Sequence, residues 1–213
     1  MRFAGFEVGV APPPRLVEVL AQERPQQALP RIFPACARVR HPAYFPNEHG
    51  DDLPLSWSYV ERTRGVDVRG DSPSLAAELE DATELAPPRV GSLPATEAWR
   101  LVDAVLAEEG ESRCWFGVWE GFGCLDDPGL AGIRDAARRL SVRGREHLVL
   151  RGALYLAARP LCEQQRQSVN LWWPPSGAWC VHTDIELDST LVAGSRSFVD
   201  RVLADPGLEA VEP

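Results

Sequence analysis

The 213-residue sequence contains no lysine: all 22 basic residues are arginine, set against 31 carboxylates for a formal net charge of −9. Schiff bases, pyridoxal anchors, P-loop phosphate contacts and kinase-type ion pairs all use an ε-amine. The chain's own side chains therefore cannot perform those chemistries. A genome rich in G and C, which replaces Lys codons with Arg codons, is the simplest cause. Long apolar runs are also missing. No stretch approaches the roughly 20 residues that span a bilayer, so no membrane partner is expected. The five cysteines (Cys36, Cys114, Cys124, Cys162, Cys180) include no C-x-x-C pair. An odd count, with no secretory pattern in MRFAGFEVGVAPPP, points to reduced, mostly buried thiols and a cytoplasmic location. Zinc ligation favours close pairs, so neither a metal nor a cofactor is expected. G-x-S-x-G, S-x-x-K and H-E-x-x-H are all absent, and EGFGCLDDPG carries only a lone G-x-G, a turn signal.

What is present suits one folded unit. The chain is 45% hydrophobic with seven Trp and seven Phe. That is core enough for a single domain over 1–213 and too much for a disordered chain. The charge is uneven. Residues 46–109 hold fourteen carboxylates and five arginines, whereas 131–166 hold eight arginines and three carboxylates. The overall field opposes phosphate backbones, so nucleic acid is not an expected partner, and RRLSVRGR (138–145) reads as a solvated loop.

Periodicity supplies the elements. Residues 13–23 and 94–109 show helical spacing; the second places Trp99, Val102 and Leu106 on one face with Ala98, Leu101 and Val105. Ser72 caps a short expected helix reaching Leu85, and Ser195 caps a last one over Ser197–Ala204. ACARVRH (35–41) alternates as a strand, and RCWFGVWE (113–120) is apolar on both faces, as a central strand requires. EHLVLRGALYLA (146–157) is another strand. VNLWW (169–173) and AWCVHTDIEL (178–187) form a hairpin on a four-residue loop that pairs Trp172 with Trp179. Strands joined by turns, with helices outside the run, predict an α+β fold: a mostly antiparallel sheet in the C-terminal half with helices packed against it.

The segments IFPACARVRHPAY, LSWSYV, VGSLP, RCWFGVWEGFG, LVLRGAL, NLWWPPSGAWCVHTDIELDSTLVAGS and LADPGLEAV together resemble a family of uncharacterised actinobacterial proteins. The likeness runs in order through most of the chain and implies no activity. The chain departs from the family pattern at 126–140, which resembles an insertion, and at His182, where a small apolar residue is expected.

The site candidates lie mostly on the last hairpin. Alternation puts Cys180, His182, Asp184, Glu186 and Asp188 on one side of the strand, opposite Trp179, Val181 and Thr183. The acids suit a hard cation or a general acid/base pair, and they suit equally the wet face of an antiparallel sheet. Trp173, His182, Asp184, Glu186 and Arg151 are the ligand-binding candidates, and Trp57 is a candidate surface aromatic. His147 is a possible partner of Cys114 or Cys124. The expected function is a non-catalytic protein-interaction module that meets a basic protein through the acidic segment 46–109. The alternative is a small-ligand or metal binder, or an enzyme, using an acidic pocket on the last strand. The discriminating geometry is whether the hairpin's tryptophans face inward and its acids outward.

Overall fold

A computed structural model describes residues 2–22, 29, 31–45, 53–64, 85–110, 113–142, 144–162 and 166–213. Residues 72–84 of the expected helix and nine of the fourteen carboxylates of the acidic segment therefore lie outside the described residues. Twelve strands are seen: β1 (Arg2–Phe3), β2 (Phe6–Glu7), β3 (Ala35–Arg40), β4 (Ala43–Phe45), β5 (Leu53–Leu55), β6 (Arg113–Trp119), β7 (Arg138–Val142), β8 (Arg145–Ala153), β9 (Leu171–Trp173), β10 (Cys180–Thr183), β11 (Ser189–Gly194) and β12 (Ala210–Val211). The helices are α1 (Pro14–Gln22), α2 (Trp57–Arg64), α3 (Ala95–Glu109), α4 (Ile133–Ala136) and α5 (Arg196–Ala204).

Ten strands form one antiparallel sheet in the order β1-β2-β8-β6-β9-β10-β11-β3-β12, with β7 also paired to β8; β4 and β5 make a separate hairpin. The fold is α+β, as the element pattern predicts. The sheet draws β1, β2 and β3 from the N-terminal half as well.

Both faces of this sheet are covered, which explains why β6 is apolar on both faces from Cys114 to Trp119. On one face Phe116, Leu148, Leu150, Trp172, Val181 and Val192 share a core with Leu101, Val102 and Val105 of α3 and Phe198 and Val202 of α5. On the other, Trp115, Val149, Leu171, Trp173, Cys180 and Leu191 pack with Leu16, Leu20 and Leu29. The wet face expected of an antiparallel sheet is thus absent around the hairpin. Ser195 does cap the last helix, its Oγ accepting from Phe198 N at 3.1 Å. In α3 the buried positions are Glu97, Ala98, Leu101, Val102, Ala104 and Val105, while Trp99 and Leu106 are exposed. The apolar face is therefore rotated away from the one the spacing implied.

Three sequence expectations change. First, the hairpin pairs Val181 with Trp172 and His182 with Leu171, two residues out of the expected register. An even slip keeps every side chain on its face, so Trp172 and Trp179 still meet, edge to face at 5.8 Å between ring centroids. Second, β10 ends at Thr183, and residues 184–188 turn back into β11, a strand the alternation had hidden. Third, in place of the expected loop, residues 138–142 are β7 and Arg145 begins β8. Residues 126–140 belong to the core: Leu130 and Ile133 join one buried cluster and Leu140 the other. Among the described residues no helix is long and apolar enough to cross a membrane.

Candidate functional site

The acids of the last hairpin do not line a strand face. Asp184 sits in the turn after β10, 4% exposed, where its Oδ1 accepts the backbone N–H of Glu186 at 3.0 Å and lies 3.5 Å from Arg145 Nη1. Arg145 also holds Glu186, an exposed carboxylate. Asp188 is buried. The expectation that the carboxylates point outward is therefore corrected for Asp184 and Asp188, because the chain reverses there and tucks them under Arg145 and the 89–91 segment. His182 and His147 are buried beside Asp184, but the void these groups share with Val142 and Ile185 is about 10 Å³, room for a single water at most. Burial lowers the pKa of His147, and its Nδ1 donates to the Arg145 carbonyl at 3.0 Å.

The other candidates separate. Arg151 pairs in register with Glu7 and Trp115, and its guanidinium lies 5.5 Å from the Trp115 ring centroid. It stands six residues along β8 from Arg145, about 20 Å at the rise of a strand, so it does not reach Asp184. Trp173 is 1% exposed within the second core. Trp57, also 1% exposed, is not a surface aromatic: it packs on Ala43 and Val60 and donates its Nε1–H to the His41 carbonyl at 2.7 Å. His147 lies on the opposite sheet face from Cys114, so no Cys–His pair forms. All five cysteines are buried free thiols. Among the described residues, no group of three or more His, Cys, Asp or Glu side chains converges to hold a metal.

The site that does form was not visible in any motif. A cavity of about 450 Å³ opens where the first turn of α3 meets Tyr44, Arg89, Leu93, residues 157–160, Arg166 and Ser168. Leu93, Ala157 and Ala158 supply an apolar floor. Around it stand Arg89, Arg159 and Arg166, with Ser168, Thr96 and Glu97.

Each arginine is positioned by local backbone. Arg89 follows a bridge in which Tyr44 and Ala86 exchange backbone hydrogen bonds of 2.9 and 2.8 Å. Its guanidinium then rests 5.5 Å from the Tyr44 ring centroid. His41 Nδ1 donates to the Arg89 carbonyl at 2.7 Å. Arg159 ends the 3-10 turn at Leu154–Ala158 and lies 5.2 Å from the Tyr155 ring centroid. Arg166 adopts φ +48, a left-handed conformation that costs a non-glycine residue of order 1 kcal/mol and is most often kept at functional sites. Its carbonyl accepts from Ser92 Oγ at 3.3 Å. Ser168 and Ser92 lock the wall, with Leu93 N donating to Ser168 Oγ at 2.9 Å and Ser168 N to Ser92 Oγ at 3.0 Å.

Two features make this cavity electrostatically positive. Arg89 and Arg159 stack on tyrosines and have no ion-pair partner among the described residues, in contrast to Arg100, Arg113 and Arg139, which sit 2.6–2.8 Å from a carboxylate. The first turn of α3 has Pro94 at its N-cap, with no side-chain cap, so the amides of Ala95 and Thr96 keep their donor capacity at the cavity, while the Glu97 amide is engaged by its own carboxyl. Glu97 is the opposing group. It is 9% exposed, and its Oε2 has no hydrogen-bond partner. Burial raises its pKa first of all, and the charge of Glu209 adds to this; its own amide and Arg100 pull the other way. The carboxyl is thereby biased toward its neutral form.

The residues of this site come from five separate stretches of sequence, and the only local signal was VGSLP running into a helix whose cap position is proline. Comparison with family models, with curated proteins and with solved structures finds no match for this chain.

Proposed function

We propose that the chain binds a small phosphorylated molecule in the cavity at the start of α3. The observation that carries this reading is the pair of unneutralised guanidiniums, Arg89 and Arg159, beside the uncapped first turn of a 15-residue helix. A cavity of about 450 Å³ falls in the size range of small-molecule sites. Guanidinium and helix amides are the groups that recognise anionic oxygens. Phosphate fits better than carboxylate, since a planar carboxylate is satisfied by one bidentate arginine whereas a phosphate monoester offers three oxygens to several donors.

Titration calorimetry of the full chain with inorganic phosphate at low ionic strength tests it. The wild type is expected to bind, with succinate weaker. Arg89→Leu and Arg159→Leu are each expected to weaken phosphate by about tenfold, the worth of one charge-assisted hydrogen bond. No heat at millimolar phosphate overturns the reading.

A protein-interaction reading draws on a different observation, the exposed Trp99 and Leu106, seven residues apart on the outer face of α3. Its test is sedimentation of the wild type against a Trp99→Ser/Leu106→Ser variant. A self-associating wild type and a monomeric variant support it, and an unchanged monomer removes it.

A further inference from the structure

Glu97 lines two cavities. Beyond the arginine-lined one, a second space of about 230 Å³ is bounded by Arg40, Ser56, Ser58 and Glu209, and it shares Pro42, Pro54 and Glu97 as walls with the first. The far wall is built: the amides of Trp57 and Ser58, at the start of α2, both donate to the Glu209 carboxylate. Ser56 and Ser58 hydroxyls lie 3.1 Å apart. Glu97, whose side chain lines both spaces, carries a carboxyl oxygen that is buried and has no hydrogen-bond partner among the described residues. A buried polar atom left unmade costs about 1–3 kcal/mol, and such atoms in native proteins call for an explanation.

We infer that the ligand is a hydroxylated phosphate monoester lying across Glu97. Its phosphate sits among Arg89, Arg159 and Arg166, and its hydroxyl-bearing end reaches past Pro42 and Pro54 toward Ser56 and Ser58. This rests on the phosphate reading above and adds the class of the organic part. A hydroxyl suits the carboxyl because it can donate to the unpartnered oxygen. An amine at the same place would bring a cation toward three guanidiniums, and a plain alkyl chain would leave the Glu97 oxygen unpaired. The charged groups around Glu97 are Arg89, Arg159 and Arg166 on the side of the first cavity, and Arg40, Glu209 and Arg100, which packs on Gly207, on the side of the second.

The test uses the full chain and four titrants: inorganic phosphate, hexyl phosphate, glucose 6-phosphate and glucose. Glucose 6-phosphate is expected to bind at least about tenfold tighter than inorganic phosphate, the worth of one or two well-made hydrogen bonds. Hexyl phosphate, of similar length but without hydroxyls, is expected to show no such gain, and glucose alone no measurable binding. Glu97→Leu should remove the gain while leaving inorganic phosphate no weaker, and Glu97→Gln, which keeps a donor and an acceptor, should retain most of it. Equal binding of glucose 6-phosphate and inorganic phosphate overturns this inference and leaves the phosphate site standing. A gain shared by hexyl phosphate overturns it too, and that comparison needs no variant to fold. Failure of every phosphate to bind overturns the site itself.

Discussion

His41 donates its Nδ1–H to the carbonyl oxygen of Arg89 at 2.7 Å, so a fully buried imidazole fixes the backbone of one of the cavity's arginines. A carbonyl can only accept, which assigns the proton to Nδ1 and leaves Nε2 to accept from Thr190 Oγ1 at 2.8 Å. Thr190 in turn lies 2.8 Å from the Thr183 hydroxyl. This relay joins β10 and β11 to the loop that carries Arg89, and it works with a neutral ring.

Burial pushes the His41 pKa down from 6.5 to about 4, against the opposing pull of the Arg89 carbonyl and the Asp188 charge. The unfolded chain then takes up its proton first as pH falls. The stability from the neutral ring is complete above about pH 6.5 and is lost progressively down to about pH 4, some 3 kcal/mol in all. His147, also lowered by burial, acts in the same direction. Urea unfolding of wild type and His41→Gln at pH 7.5 and 4.5 checks this: the variant is expected to be less stable at pH 7.5 and to lose less on acidification. Parallel losses in the two proteins would contradict it.

Asn170 is fully buried and ties three segments together. Its Oδ1 accepts Trp119 N at 2.9 Å, and its Nδ2 donates to the carbonyls of Thr183 at 3.3 Å and Gly91 at 3.4 Å. Asn170→Leu strands these backbone groups away from water and is expected to cost about 2–4 kcal/mol. Thermal unfolding reads the loss, and an unchanged melting temperature would show the groups find other partners.

Gly91 has φ +72, and a Cβ there would lie 2.8 Å from the Ile185 carbonyl oxygen. Its amide donates to Leu187 O at 2.8 Å, fixing the turn that buries Asp184 against the wall of the cavity. Gly91→Ala is expected to lower stability by more than about 1 kcal/mol through the left-handed backbone alone. It should also weaken phosphate binding, since Ser92 and Leu93 must shift with it. Calorimetry and urea unfolding of the same sample measure both.

Burial raises the thiol of Cys36 to about 11 and that of Cys124 to about 12, where the Cys162 thiol adds to the effect. At pH 8 the native protein is expected to resist iodoacetamide, with five adducts forming only after unfolding. Mass spectrometry after timed alkylation distinguishes the two, and rapid native labelling would mean that the cores open readily.

Removal of the Ser195 hydroxyl is expected to cost about 1 kcal/mol, the worth of an N-cap. The same hydroxyl also donates to Glu108 at the end of α3, so the effect should sit at the upper end of the range for caps. Melting of Ser195→Ala against wild type measures it.

Local chemistry determined much of this fold from sequence alone. Ser195 announces its helix because a hydroxyl three residues before an amide caps it wherever the helix packs, and 113–119 announces a central strand because both its faces are apolar. Alternation also assigned Val181 and Cys180 to opposite faces correctly, and a register slip of two residues left that assignment intact. What periodicity lacks is any report of what lies on the far side of a face. Only the packing of Leu16 and Leu20 on the second face buried Trp173, and only the reversal at 184–188 hid Asp184 under Arg145. The cavity depended most on tertiary structure. Tyr44, the 89–97 stretch and the pair Arg159 and Arg166 are far apart in the chain, and their convergence comes from hydrogen bonds and stacking made across the fold, which leave no spacing to read.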